Sequence, residues 1–460
     1  MTEPVMPGGE TLDQALNRAV QAAQARRVNE AKGICQDVLA VAPENPGALG
    51  LLGSVIGRAG GLDEAVGYLE RAVARKPDVA SWHGNLCALY RATHRLDDAI
   101  HAGREAIRLQ PDNANHYVEL GLAHLTRGEL DIAQACFLTG LGRDGENANA
   151  HMALGELLLA RGQFRPGWLE YEWRNKLEQA RGLLPRMVAA PWNGMTLPRG
   201  RILLVADQGF GDMIQFARYI PRVAERCDEV VVGWGPDVMA LLNRLPGVSG
   251  TFLRWADAPR HDAYCLLSSL PGLFGTELET IPAPIPYLSA EPGRVRHWAE
   301  WLAARCGPGP RVGLAWSGRP THPNNARRTL ALAQLAPLLD VPGVQFVSIQ
   351  KPAPEADRAL LASLPNVVDA SPDLADFGET AALLTQLDLL IAVDTAVVHL
   401  AGALGRPVWV LLPTPADWRW LTGREDSPWY PSVRLFRQTK PHDWEPVIRR
   451  AAEALRARVA

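Results

Sequence analysis

The sequence predicts an α-helical solenoid followed by a pair of Rossmann-like α/β domains, an α plus α/β multidomain chain. Three observations carry this. At 460 residues the chain is too long for one compact domain. Small residues and prolines recur every 34 positions through its first third. From Arg201 onward, short apolar runs alternate with amphipathic stretches. The expected divisions are 1–175, a repeat superhelix with a capping helix; 176–290, a first α/β domain; and 291–460, a second α/β domain ending in a helix.

The repeat frame is explicit. Pro43, Pro77 and Pro111 are 34 residues apart, as are Ala31, Ala65, Ala99 and Ala133. Ala72 and Ala106 fall five residues before their prolines. Gly53, Gly121 and Gly155 hold a small-residue position in the first helix of a pair, with Cys87 filling it once. Small residues there let paired helices approach closely, and each Pro starts the turn into the next pair. This frame resembles the tetratricopeptide repeat over about residues 12–165, or four to five repeats. Such units bury their apolar faces only by stacking, which leaves a concave groove. The groove is either a docking surface for a protein or a plain packing element. Asn85, Asn115 and Asn149 are candidates to line it. Beyond the repeats, Gly162, Phe164, Gly167, Trp168, Tyr171, Trp173 and Arg174 form an aromatic segment expected to cap the array. Leu184-Pro185 and Pro191-Trp-Asn-Gly194 are expected to be linker.

In the remaining two thirds, strands are expected at 201–206, 229–234 and 263–267, with helices to 225 and over 236–244. A Pro-rich stretch at 282–287 reads as a boundary. A second series has strands at 311–316, 344–350, 367–370, 389–393 and 407–412. Helices are expected at 332–340, 356–363, 379–387, 396–404 and 445–459. Strand–helix alternation with apolar strands implies parallel sheets covered on both faces. Two such units in tandem place a ligand cleft at the carboxyl ends of the strands. The first loop lacks the third glycine of a dinucleotide fingerprint and no Walker A sequence occurs, so NAD and ATPase chemistry fit poorly.

Three loops carry the better signal. Gln208-Gly-Phe-Gly-Asp212 follows the first strand; Gly209 and Gly211 let backbone approach a ligand. Asp212 is either a helix N-cap or a carboxylate facing the cleft and able to accept a proton. Asp394-Thr395-Ala-Val-Val-His399 opens a helix directly after a strand, where free N–H groups and a partial positive charge favour an anion. Its plain alternative is an N-cap Asp394 and a packed His399. The third set is basic: Arg327-Arg328 after the polar loop from Ser317, and Lys351 after a strand. Arg327 is equally well a solvated surface residue. Lys351 is one of only five lysines among 47 basic residues, and strand ends line the cleft. Together these groups fit glycosyl transfer: a base for an acceptor hydroxyl, and positive groups for a departing diphosphate. No D-x-D triplet occurs, so a metal is not required and no cofactor is expected.

Composition narrows the partners. The formal charge is −3, without the basic excess of a nucleic-acid binder. The six cysteines include no C-x-x-C pair, so reduced core cysteines are expected rather than a zinc site. No signal peptide or membrane span is expected, which points to the cytoplasm.

At this point the residues look like the bacterial tetratricopeptide-repeat glycosyltransferases. The segments that carry the resemblance are Gly167-Trp168…Tyr171-Glu-Trp-Arg174, Asp207-Gln-Gly-Phe-Gly-Asp212, Val347-Ser-Ile-Gln-Lys351, Val393-Asp-Thr395…His399-Leu-Ala-Gly402, Asp417-Trp-Arg-Trp420 and Ser427-Pro-Trp-Tyr-Pro431…Leu435-Phe-Arg-Gln438. The catalytic half is similar, more distantly, to ADP-heptose lipopolysaccharide heptosyltransferases and to the eukaryotic O-linked N-acetylglucosamine transferase. The resemblance implies a GT-B pair, with an acceptor-side domain first and a nucleotide-sugar domain second. It implies an inverting mechanism with Asp212 as general base. Lys351, Asp394, Thr395, His399 and Arg328 would hold the donor phosphates, and Gln208, Gly209 and Gly211 would form the acceptor-side loop. It implies a protein acceptor modified on Ser or Thr, flagellin among them, recruited by the repeats. Two other readings stand beside it: transfer to a glycan or lipid-linked acceptor, and a scaffold that binds nucleotide weakly or not at all.

Overall fold

The computed structural model of the chain describes residue 6 and residues 9–177, 189–282, 284–321 and 325–459. These fall into two compact units, 1–157 and 158–460. The expected linker residues Leu184 and Pro185 lie outside the described residues.

The first unit is built from helix pairs: α1 (Leu12–Gln24) with α2 (Val28–Val41), α3 (Pro46–Arg58) with α4 (Leu62–Arg75), α5 (Ala80–Ala92) with α6 (Leu96–Leu109), and α7 (Ala114–Arg127) with α8 (Leu130–Arg143). The first helix of each pair starts 34 residues after the last, and α9 (Ala148–Ala160) keeps that step. The frame residues Ala31, Ala65, Ala99 and Ala133 have no exposed surface, nor do Ala72 and Ala106. A Cβ on Gly53 would stand 2.8 Å from Leu69, and one on Gly121 would stand 2.5 Å from the Phe137 ring. The period therefore exists because two helices touch where side chains are absent. Gly121→Ala is expected to lower stability by about 1–3 kcal/mol through overpacking, read by denaturant unfolding of the intact chain.

Asn115 and Asn149 line one groove in this unit, with Val118, Glu119, Leu122, Met152, Ala153 and Glu156. Asn85 instead donates to Ser54 Oγ at 2.8 Å.

The second unit begins within α9, so α10 (Phe164–Tyr171) belongs to it, although the sequence places this helix with the repeats. The reason is aromatic packing. Phe164 stacks on Trp429 at 5.7 Å, and Trp168 meets Trp418 edge-on at 5.3 Å.

Eleven strands follow among the described residues: β1 (Ala190–Pro191), β2 (Leu197–Val205), β3 (Cys227–Gly233), β4 (Gly250–Phe252), β5 (Ala263–Leu266), β6 (Arg311–Ala315), β7 (Gln345–Ser348), β8 (Val367–Asp369), β9 (Leu389–Val393), β10 (Val408–Leu412) and β11 (Val433–Arg437). They form two wholly parallel sheets, ordered β1-β5-β2-β3-β4 and β11-β10-β9-β6-β7-β8. Every residue of β9 and β10 is buried, as an apolar run covered on both faces requires. Three strands escape the sequence pattern. β1 pairs with β5 through Ala190 and Pro191, at the start of the expected linker. β4 has only three residues, and β11 carries Arg434 and Arg437 within its apolar run.

The covering helices are α11 (Phe210–Phe216), α12 (Ile220–Ala224), α13 (Pro236–Leu242), α14 (Leu270–Leu273), α15 (Pro292–Ala303), α16 (Asn325–Arg328), α17 (Ala336–Leu339), α18 (Glu355–Ser363), α19 (Phe377–Leu384), α20 (Ala396–Ala403) and α21 (Glu445–Val459). The helix expected to run to 225 is broken: α11 and α12 are separated by a 3-10 turn over Ala217–Tyr219. The last helix packs Val447, Ile448, Ala451, Ala452 and Leu455 against the second sheet. No helix among the described residues is long and apolar enough to cross a membrane.

Candidate active site

The first loop leaves the carboxyl end of β2. Gly209 is the N-cap of α11, and Asp212 is the third residue of its first turn, reaching back to accept from the Gly209 N–H at 3.0 Å. Asp212 is thus not a plain N-cap. A glycine at the cap leaves the carboxylate to satisfy the loop backbone with one oxygen and to use the other elsewhere. That other oxygen, Oδ1, accepts from Arg419 Nη2.

Neighbouring residues hold the loop. Asp207 accepts from Ser268 N at 3.2 Å, from Ser268 Oγ, and from Arg174 Nε at 3.3 Å. Arg174 also donates to Ser269 Oγ at 2.6 Å. Gln208 donates through Nε2 to the Tyr171 hydroxyl at 2.8 Å. The aromatic segment, expected from the sequence to cap the array, anchors the loop that carries Asp212.

The second loop leaves β9. Thr395 is the extended N-cap of α20, and its hydroxyl donates to Val393 O at 3.3 Å. That hydroxyl caps none of the helix N–H groups, so the first turn of α20 presents them uncapped by its own side chain. Arg328 Nη1 donates to the Asp394 carbonyl at 2.7 Å, which places a guanidinium beside the same turn. Its Nε is buried without a partner.

His399 lies one turn into α20 and is only 5% exposed. Its Nδ1 pairs with the Tyr430 hydroxyl at 3.0 Å, and its ring stacks on Trp420 at 5.3 Å. Burial drives its pKa down to about 3, so it is neutral. A Cβ on Gly211 would stand 2.9 Å from His399 Cδ2. Gly211 therefore serves close approach of α11 to α20, joining the loops of the two sheets.

Lys351 lies apart from these groups. It follows β7, two strands from β9 in the sheet order, is exposed, and donates to the Leu374 carbonyl. The polar loop from Ser317 is only partly within the described residues. Its Gly318 sits against Arg328, where a Cβ would come within 2.8 Å of Nε.

Arg419, within the Asp417-Trp-Arg-Trp420 segment, has no role legible in the sequence and lies at the centre of this cluster. After β10, its guanidinium donates to Asp417 Oδ1 at 2.8 Å, Gln215 Oε1 at 3.0 Å, Gln208 Oε1 at 3.4 Å and Asp212. It also lies 4.3 Å over the Trp418 ring. Three acidic groups, Asp212, Asp394 and Asp417, thus lie close enough to act on one another or on Arg419. Burial pushes Asp212 above its ordinary value of 3.8, with Arg419 opposing. Burial likewise pushes Asp394 up to about 6, Asp417 adding to the rise and Arg328 resisting it. Asp417 is held low: burial would raise it, but Arg419 outweighs that.

The Asp394 shift has a testable sign. A carboxyl whose folded pKa is raised contributes stability that is fully present below its unfolded value, 3.8 here, and is lost as pH rises through about 6. Asp394→Asn should therefore remove a fall in stability across that window. Urea unfolding of both proteins at a series of pH values checks this, and parallel curves would refute it.

Comparison with known proteins places these segments. A tetratricopeptide-repeat family model matches residues 16–80, 57–114 and 118–164. The glycosyltransferase family 9 (heptosyltransferase) model matches residues 350–414, a stretch holding Lys351, Asp394, Thr395 and His399. Among curated proteins the chain is similar to Protein FlbA of Caulobacter vibrioides, 30% identical over 314 residues, covering 63% of this chain. The chain spans about half of that relative, 52% of its length. Solved structures similar to part of the chain include a thermophilic TPR protein of Thermus thermophilus (23% identity, 37% of this chain, 92% of that one, TM-score 0.33). The MamA protein is another (19% identity, 39% and 98%, TM-score 0.32). The chain thus carries tetratricopeptide repeats and, in its α/β region, a glycosyltransferase family 9 segment, which supports a glycosyltransferase.

Proposed function

We propose that the protein is an inverting glycosyltransferase of the GT-B type, moving a sugar from a nucleotide-sugar donor to a Ser or Thr hydroxyl of a protein held by the repeats. The observation that carries this reading is the close approach of the Asp212-bearing first turn of α11 to α20, whose first turn has no side-chain cap, both helices following parallel strands.

In the reaction, the acceptor hydroxyl gives its proton to Asp212 while its oxygen bonds to the sugar's anomeric carbon. The bond from that carbon to the β-phosphate oxygen breaks, and the diphosphate leaves with the electron pair. Asp212 has the capacity for this. Its oxygens each hold two lone-pair sites, and the Gly209 N–H and Arg419 take one apiece. Its side chain keeps 21% exposure, enough for a hydroxyl to reach it. The N–H groups of α20, Thr395 and Arg328 stabilise the charge on the departing phosphates. Asp394 orients this turn, its carbonyl holding Arg328. His399, neutral and packed, holds α20 against Gly211. The reading needs no metal.

The test is a thermal-shift panel of UDP, GDP, ADP, CMP and dTDP with their common sugars, in EDTA. One nucleoside diphosphate at about 100 times its Kd should add roughly 2.7 kcal/mol of stability. A flat panel favours the scaffold reading.

A further inference from the structure

We propose that Arg419 is a positioning residue for the base: its guanidinium fork ties Asp212, on the first sheet's loop, to Asp417, on the second sheet's loop, so that the base is aimed only while the two lobes are together. This rests on the role of Asp212 proposed above.

The geometry is specific to arginine. Nη2 reaches Asp212 Oδ1 and Gln208 Oε1, Nη1 reaches Asp417 Oδ1, and Nε reaches Gln215 Oε1. Gln208, Asp212 and Gln215 belong to the loop and helix after β2, whereas Arg419 and Asp417 follow β10. All of the side-chain bonds to Gln208, Asp212 and Gln215 therefore cross between the lobes. Asp417 fixes the fork from its own side, accepting also from the Arg419 N–H at 3.0 Å. Trp418 covers one face of the guanidinium. A planar, rigid fork can hold these directions at once, and a lysine ammonium cannot. With 8% of its surface exposed and four partners engaged, Arg419 is built into the protein rather than left open for a donor phosphate. Its charge also acts on the base. The groups facing Asp212 are Arg419, Asp417, Asp207 and the Tyr171 hydroxyl, with neutral His399 beside Gly211. Arg419 is the cation among them, and its charge opposes the rise that burial and two other carboxylates impose on Asp212.

Arg419→Lys, Arg419→Gln and wild type are compared at temperatures where all three are folded. Transfer kinetics are measured against pH. In parallel, Asp212 is titrated by carboxyl 13C NMR on aspartate-labelled protein, its signal assigned by absence in Asp212→Asn. The lysine variant should lose about 10- to 100-fold in kcat with donor KM within about twofold. In the glutamine variant, the acidic limb of kcat/KM and the Asp212 titration should both move up by about one pH unit, tenfold in proton affinity. A kcat loss with limb and titration unmoved would reduce Arg419 to a structural role and overturn the proposal. A donor KM rising in step with the loss would make it a donor ligand, which also overturns it. If wild type transfers from no donor, the function proposed above fails instead. The 13C titration then still decides whether Arg419 governs Asp212: a shift supports it and no shift refutes it.

Discussion

Asp212→Asn should lower kcat for glycosyl transfer by about 10²- to 10⁴-fold while leaving donor affinity unchanged. The substitution keeps size and shape, and an amide oxygen can still accept the Gly209 N–H. What it removes is the capacity to take a proton from the acceptor hydroxyl. The donor contacts assigned to α20 and Arg328 lie on other loops, so nucleotide binding provides an internal control. Transfer kinetics paired with calorimetric binding of the nucleoside diphosphate measure both halves. Parallel loss of binding and rate would mean that Asp212 shapes the donor pocket.

Arg419→Ala should be the most destabilising single change in this charge cluster, costing about 3–5 kcal/mol. It leaves Asp212 and Asp417 as neighbouring carboxylates without the cation they share. It also leaves Gln215 and Gln208 without that donor and uncovers Trp418. Guanidinium unfolding measures the loss. Adding Asp212→Asn and Asp417→Asn to the alanine variant should restore part of it, because the uncompensated charges are then gone. If the triple variant is no more stable than Arg419→Ala alone, packing rather than charge accounts for the cost.

Much of the fold is legible in the sequence. The 34-residue frame and the actual helix starts share one period, because the frame residues are the contact points between helices. Strand Leu389–Val393 and helix Glu445–Val459 have the bounds their patterns give, one a buried apolar run and the other an amphipathic period. Short or mixed segments hide. β4 is three residues long, and the charged pair Arg434 and Arg437 masks β11. Helix α15 begins on Pro292 and buries only Trp298 and Leu302 in its core, too sparse a stripe to stand out.

The site divides the same way. Asp212 and Thr395 stand out as candidates in the sequence because each follows a strand at the opening of a helix, and Arg328 because it follows the polar loop from Ser317. Arg419 does not, because its partner Asp212 is 207 positions away and nothing local distinguishes it from other cations in an arginine-rich chain. His399 belongs to its motif, yet its burial depends on Gly211, Trp420 and Tyr430, which only the fold brings to it.

The most direct test of the account is transfer of radiolabelled sugar from the donor found in the panel to proteins of a cell extract, in EDTA, with wild type and Asp212→Asn side by side. The account predicts a labelled protein band with wild type, released by β-elimination as expected for a Ser or Thr linkage, and none with the variant. Label appearing only in glycan or lipid-linked material, or equal transfer by Asp212→Asn, would contradict it.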